Sequence, residues 1–408
     1  MINKNNHPNF SMHIWEFISL IAALMAMNAF AIDIMLPAMG VIADHYKVVG
    51  NNQQWLIYSY ILGFGVPQLF FGPITDKYGR RNLLKLCMVA YVFFAFLCMF
   101  TFSFYFLCLA RLFQGVFASG IRVIAISIVR DLTVGRAMAR IMSLVMTVFM
   151  IIPIIAPVIG QGVMIVAGWK WTFGILGIVG ILVFIWVHYR LPETLENSTK
   201  GSIGFRHSTN VFFKVLQDPI TTGYMISSGF IYAALFAFIA SAEQIFNDVF
   251  DSGSLFSLWF AIIAGTLALA NFINFRIVDK IGMRRISHLA LILFVFLSFV
   301  NLLICCFIGE QLFIFLPLFA LTFGCFGMLG ANFSAIAMET QGDKAGTASA
   351  LYGFFTTAVS SVFGFMVSSN FNGTVIPILI GFIILGISSL IAVIITENGK
   401  LFGLGNNY

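Results

Sequence analysis

From residue 14 almost to its end the chain alternates long apolar runs, each 18 residues or more, with short polar breaks. At a rise of about 1.5 Å per residue, each run is long enough to cross a hydrocarbon core about 30 Å thick. The pattern predicts twelve helices. Six fall at 14–38, 53–74, 83–102, 106–129, 139–165 and 171–190, and six more at 219–245, 254–276, 286–308, 312–338, 345–369 and 374–396. A membrane-spanning barrel would show short segments of alternating polarity in place of continuous Phe, Ile, Leu and Val. The fold class expected is therefore an all-α membrane protein.

Composition agrees with this pattern. Hydrophobic residues make up 60% of the chain and charged residues 9%, whereas water-soluble domains carry about 25% charged residues. The net charge of +6 raises the question of a nucleic-acid partner, but the positions of the basic residues answer it. Eighteen of the 22 lysines and arginines fall on one side of the predicted bundle, only Lys47 and Lys170 on the other, and Arg111 and Arg122 inside the fourth helix. The positive-inside rule then places both termini in the cytoplasm. The six cysteines all sit in apolar runs without metal-like spacing and read as small buried hydrophobes. Ala29-Phe30-Ala31 has the form of a signal-peptidase site. Cleavage there is rejected, because it would leave an odd number of helices and break the internal repeat.

That repeat is visible in two loops. Gly72-Pro73-Ile74-Thr75-Asp76-Lys77-Tyr78-Gly79-Arg80-Arg81 ends the second helix, and Asp279-Lys280-Ile281-Gly282-Met283-Arg284-Arg285 ends the eighth. The two aspartates lie 203 residues apart, about half the chain. Such a repeat in a twelve-helix protein implies two six-helix bundles related by a pseudo-twofold axis, the architecture of a secondary transporter. The division expected is an N-terminal bundle at 1–190, a cytoplasmic linker at 191–218 and a C-terminal bundle at 219–408. The second copy of the loop is degraded, since Phe275 stands where the first has Gly72.

The first copy matches the G-x-x-x-D-[RK]-x-G-R-[RK] loop motif of the major facilitator superfamily at every defined position. Further stretches narrow the match: Ala31-Ile32-Asp33-Ile34-Met35-Leu36-Pro37-Ala38, Arg111-Leu112-Phe113-Gln114-Gly115, Arg130-Asp131-Leu132, Ile155-Ala156-Pro157-Val158-Ile159-Gly160, Pro192-Glu193-Thr194-Leu195 and Ala345-Gly346-Thr347-Ala348-Ser349. Together these resemble the Bcr/CflA group of bacterial drug/proton antiporters over nearly the whole chain. The resemblance implies a major facilitator fold in the bacterial inner membrane and export of drugs or metabolites against protons.

Asp33 and Arg111 are the first candidates for the coupling chemistry. A carboxylate inside a membrane helix costs about 2.5–3.5 kcal/mol on insertion scales, so Asp33 should face a cavity or a partner. Pro37, one turn on, frees a backbone carbonyl beside it. In the proteins this chain resembles, the matching aspartate takes part in recognition of protons and cationic drugs. Otherwise it is a structural hydrogen-bond acceptor or lies near enough to the membrane edge to stay wet. Arg111 cannot deprotonate and needs a standing acceptor, whether a carboxylate, Gln114 or backbone carbonyls. The resemblance implicates it in proton coupling; the plain alternative is a packing clamp through Gln114.

Arg122 follows Arg111 by eleven residues, close to one helix face. Two arginines and one aspartate in a common cavity would favour anionic or zwitterionic substrates. The competing reading is snorkelling of Arg122 to the headgroups. Glu243 is either a second titratable group or arginine counter-ion, or a carboxylate at the membrane edge.

The loop residues Gly72, Asp76, Gly79, Arg80 and Arg81, with Asp279 and Arg284, read as a cytoplasmic gate. There the glycines allow close backbone approach, Asp76 caps the following helix and the arginines pair across the face. Topology determination alone is the simpler alternative. Pro153, Pro157, Gly160 and Gly162 should break backbone bonds and admit tight packing of the fifth helix. In the superfamily this pattern accompanies antiporters, although Gln161 replaces one glycine of the usual pair.

No enzyme constellation, metal site or phosphate-binding loop emerges, and the six histidines fall near helix ends or in loops. The expectation is a monomer without cofactors, driven by the proton gradient, with protons, a small molecule and lipid as its partners. A metabolite or siderophore exporter and a proton symporter remain open on the same scaffold. A channel or receptor would lack the repeat and the gate motif.

Overall fold

The computed structural model describes residues 12–133, 135–195, 212–342 and 345–403. Of the linker expected at 191–218, residues 196–211 lie outside the described part. So do Lys4, Lys200, Arg206, Lys344, His7 and His207, together with the side chain of Arg136.

Fourteen helices are named here. The first eight are α1 (Ile14–Asp33), α2 (Met39–Tyr46), α3 (Trp55–Gly65), α4 (Gln68–Tyr78), α5 (Arg80–Met99), α6 (Phe104–Leu132), α7 (Gly135–Ala167) and α8 (Lys170–Arg190). The others are α9 (Pro219–Gln244), α10 (Phe256–Ile281), α11 (Met283–Phe307), α12 (Leu312–Met338), α13 (Ala345–Ser368) and α14 (Ile376–Thr396). Among the described residues eleven spans are long and apolar enough to cross a membrane, and twelve if the α3–α4 pair, bent by 45°, counts as one. The chain is a multi-pass membrane protein, as the hydropathy pattern predicts.

The differences from the expected helices have local causes. The first span does not end at 38 but continues through α2 to Tyr46 after a break at 34–38, where Pro37 opens a short 3-10 turn. Proline has no N–H, so the carbonyl four residues earlier, that of Asp33, loses its helical donor. The second span bends where Pro67 separates α3 from α4. It then runs to Tyr78, so the gate motif is helical up to Gly79. The α9 helix begins at an aspartate cap followed by proline, with Asp218 accepting from Thr221 N. It ends in a π-helical turn at Ile245–Val249.

The described residues form two compact units. One takes in 12–46 and 55–195; the other takes in 47–54 and 212–403. In the first, α3 and α6 pack with almost no gap. A Cβ at Gly115 would lie 2.2 Å from the Tyr60 carbonyl, and one at Gly63 would lie 2.0 Å from that of Leu112. In the second, Phe238, Phe319, Phe323, Phe326 and Phe382 make a continuous aromatic core with ring centroids 4.7–6.4 Å apart. Of the six cysteines, four are buried as expected. Cys108 is half-buried and Cys306 exposed, on helix faces that lipid can cover without cost.

Candidate functional site

The break after α1 sets the central geometry of the first unit. Asp33 is the last residue of α1 and only 4% exposed. Among the described residues no hydrogen bond or ion pair to its carboxylate is seen. Directly behind it α7 approaches so closely that a Cβ on Gly160 would lie 1.9 Å from the Ile34 carbonyl oxygen. Gly160 thus lets α7 press on the turn that carries Asp33. Gly162 does not act as expected, because a Cβ there would meet nothing within 4 Å. Pro153 and Pro157 both lie inside α7.

Arg111 is fully enclosed and makes no carboxylate pair among the described residues. It donates to Gln114 Oε1 at 2.8 Å, to the Ala31 carbonyl at 3.0 Å and to the Leu56 carbonyl at 3.5 Å. Its guanidinium also lies 4.3 Å over the Tyr60 ring and 5.8 Å over Phe173. One side chain of α6 therefore ties together α1, α3 and α8, two residues before Asp33. Guanidinium suits this role, because its planar fork serves several acceptors at once while its face stacks on a ring.

Arg122 is half-buried, with its guanidinium 5.6 Å over Phe64. Phe64 and Tyr60 are parallel rings 6.5 Å apart, and the Tyr60 hydroxyl donates to Asn28 at 2.7 Å. The two arginines do share a helix face, as their spacing predicts. They stand at opposite ends of an aromatic pair, and each of the three guanidinium nitrogens of Arg111 already donates to a protein acceptor.

At the far end of α4 the gate motif assembles differently from expectation. Gly79 has φ +91° and a Cβ there would lie 2.8 Å from Glu193 Oε2, so this turn requires glycine. Gly72 faces open space, and no backbone approaches it within 4 Å. Asp76 does not cap α5. That role falls to Glu193, whose oxygens accept from Arg80 N at 2.9 Å and Arg81 N at 3.1 Å, where a carboxylate also complements the helix dipole. Arg80 is buried and pairs with Asp131 at 2.8 Å and with Asp76 at 2.5 Å. Arg81 donates to the His188 carbonyl at 2.7 Å. The loop motif, Arg130-Asp131-Leu132 and Pro192-Glu193-Thr194 thus converge on one cluster inside the first unit. Asp131 and Glu193 carry no role from sequence reasoning.

The second unit builds a related cluster from other residues. Arg284 pairs with Glu339 and with Glu397, both at 2.8 Å, while Asp279 is exposed and does not join them. Tyr224 donates to Glu397 at 2.7 Å and meets His288 Nε2 at 2.9 Å. His288 lies one turn inside α11, as its position predicts, but is completely buried. Glu243, half-buried near the end of α9, accepts from Gln53 at 3.5 Å.

This architecture matches known proteins over nearly its full length. The model of the Major Facilitator Superfamily covers residues 19–365. The chain belongs to that superfamily. Among solved structures, a D-xylose–proton symporter shares the fold at a TM-score of 0.74, covering 96% of this chain and 100% of its own, at 13% identity. A bacterial homolog of the human lysosomal transporter Spinster gives 0.68, with coverages of 94% and 95% and 13% identity.

In sequence, an uncharacterised MFS-type transporter of Bacillus subtilis, YdgK, is 29% identical, covering 88% of this chain and 89% of its own. A bicyclomycin resistance protein homolog of Haemophilus influenzae is 26% identical, with coverages of 89% and 91%. The motif-based resemblance to the Bcr/CflA group is borne out by that relative. The chain is a major facilitator transporter, and such proteins move small molecules across the membrane in which they sit.

Proposed function

We propose that this transporter exports small molecules from the bacterial cytoplasm in exchange for protons, with Asp33 as the group that loads and releases the proton. The observation that carries this reading is the state of Asp33: a carboxyl group 4% exposed, at a helix break, with no partner seen among the described residues. A buried carboxylate without compensation is costly to ionise, whereas a protonated one is not. Binding a proton or a cationic substrate at this position relieves the same penalty, so the two compete, which is the thermodynamic core of antiport. The Arg111 clamp holds Ala31 and hence the end of α1 in place, and Gly160 backs it from α7. Arg80 with Asp76, Asp131 and Glu193 locks the ends of α4, α5 and α6 into one rigid piece whose docking can favour one access state. Both termini lie in the cytoplasm, and the proton gradient is the energy source.

The test uses bicyclomycin as probe, since a relative is named for resistance to it. Resistance is measured in a host lacking its own exporters, and proton movement on addition of the drug to proteoliposomes. Wild-type chain should confer resistance and release protons. Asp33→Asn should abolish both while leaving the thermal unfolding midpoint unchanged. Proton uptake alongside the drug would instead identify symport, and unaltered transport by Asp33→Asn would remove Asp33 from the mechanism.

A further inference from the structure

His288, in the second unit, is a completely buried imidazole. It sits between two hydrogen-bonding neighbours whose roles can be assigned. On one side the backbone N–H of Phe402 donates to His288 Nδ1 at 3.0 Å. An amide nitrogen can only donate, so Nδ1 carries no proton. On the other side Tyr224 gives its hydroxyl hydrogen to Glu397 and is 2.9 Å from Nε2. Nε2 must therefore carry the hydrogen and donate it to the tyrosine oxygen. The imidazole is neutral and locked in one tautomer.

Phe402 reaches this position because the chain reverses after α14. Asn398 and Gly399 have φ of +51° and +78°, Gly399 N bonds back to the Ile394 carbonyl at 2.8 Å, and Lys400 N bonds to that of Glu397 at 3.0 Å. The Phe402 carbonyl then accepts from Arg285 Nε at 3.3 Å, and its ring packs edge-on against His288 with centroids 5.8 Å apart. Phe402 itself is 41% exposed and lies beyond the end of α14, so this latch is at the surface of the buried cluster.

We propose that His288 Nδ1 is a proton-binding site for which the C-terminal segment 397–403 competes, so that proton uptake there releases the segment from α11. The only ring position open to a second proton is Nδ1, and a proton there would oppose the Phe402 N–H. Glu397, just after α14, and Glu339, just after α12, both pair with Arg284 of α11, Tyr224 of α9 is neutral, and Arg285 of α11 donates to the Phe402 carbonyl. Two carboxylates meet two guanidiniums here, and Glu397, linked to the ring through the Tyr224 hydroxyl, is the carboxylate placed to offset an imidazolium. The proposal stands independently of the role given to Asp33.

Amide hydrogen exchange of segment 397–403 in the purified full chain tests it, between about pH 8 and pH 5 around the ordinary histidine range, with intrinsic exchange rates divided out. Mutually exclusive binding predicts that the opening equilibrium rises about tenfold per pH unit once His288 titrates. His288→Gln keeps an acceptor and a donor but cannot titrate, so its segment should stay protected at every pH. Protection of the wild-type segment that is flat across the range would overturn the proposal, and so would a His288→Gln profile that follows the wild type. Imidazole NMR signals of the wild type provide a second measurement independent of variant folding. The His288 resonance should titrate with the same midpoint as segment release, and release without His288 titration refutes the competition.

Discussion

Arg284 takes in the second unit the place that Arg80 takes in the first, although the repeat aligns Arg284 with Arg81. Each is buried just after a glycine with φ above +90° (Gly79 at +91°, Gly282 at +94°), and each is held by two carboxylates. In the first unit one of these, Asp76, comes from the motif itself. In the second the motif aspartate, Asp279, is left exposed and Glu397, just after α14, substitutes for it.

This exchange of partners makes Asp279 dispensable. Asp279→Asn should change stability by no more than about 0.5 kcal/mol, as for an ordinary surface substitution. Arg284→Gln leaves Glu339 and Glu397 facing each other without their cation and should cost about 3–5 kcal/mol. Thermal unfolding of the two purified variants beside the wild type separates them. Equal losses would show that the repeat motif, and not the observed ion pairs, sets the importance of each residue.

The contact between Gly160 and Ile34 gives a second prediction. A methyl group 1.9 Å from a carbonyl oxygen must push α7 off the turn that holds Asp33. Gly160→Ala should therefore reduce transport at least tenfold, since misplacement by about 1 Å can cost a hundredfold. Gly162→Ala, with open space around it, should transport like wild type. Drug efflux from cells at matched expression is the measurement.

The membrane-spanning helices, the two related loops and the presence of Asp33 and Arg111 inside the bundle are legible in the sequence, because lipid permits few ways to satisfy a backbone and penalises every buried charge. Partner choice is not. Nothing in local spacing shows that Glu193, more than one hundred residues downstream, caps α5 in place of Asp76. Nor does spacing show that Glu397 replaces Asp279, since both depend on which helix ends meet in the fold. Gly72 and Gly162 mislead for the same reason: a glycine in a motif signals close approach only if a neighbour is actually there.

The multiple contacts of Arg111 predict that charge alone does not replace it. Lysine offers a point charge without the planar fork or the stacking face that serves Gln114, Ala31, Leu56 and Tyr60 together. Arg111→Lys should unfold at a clearly lower temperature than wild type and recover little of the transport lost in Arg111→Ala. A lysine variant with wild-type stability and transport would reduce Arg111 to a simple cation.

Asp218 yields a prediction in pH, because it lies just before the membrane-spanning part of α9 and its carboxylate collects several donors. Thr221 gives its N–H at 3.2 Å and its hydroxyl at 2.7 Å, Gln341 donates at 3.0 Å, and the Thr340 hydroxyl adds a further bond. Partial burial works against the charged form, but these hydrogen bonds outweigh it and hold the Asp218 pKa below the ordinary aspartate value. A carboxyl more acidic in the folded chain than in the unfolded one stabilises the fold fully above the unfolded value of about 4. That contribution fades as the pH falls through the lower folded value. Asp218→Asn should therefore cost about 1 kcal/mol near neutral pH, because a neutral amide oxygen accepts more weakly than a carboxylate, and the cost is modest because the group is partly in water. The difference from wild type should shrink as the pH falls from about 4 through the lower folded value, where the carboxyl becomes uncharged like the amide. Unfolding midpoints of the two proteins across that range decide it: a gap that persists unchanged in acid would mean that shape, and not charge, makes Asp218 hold α9 to the end of α12.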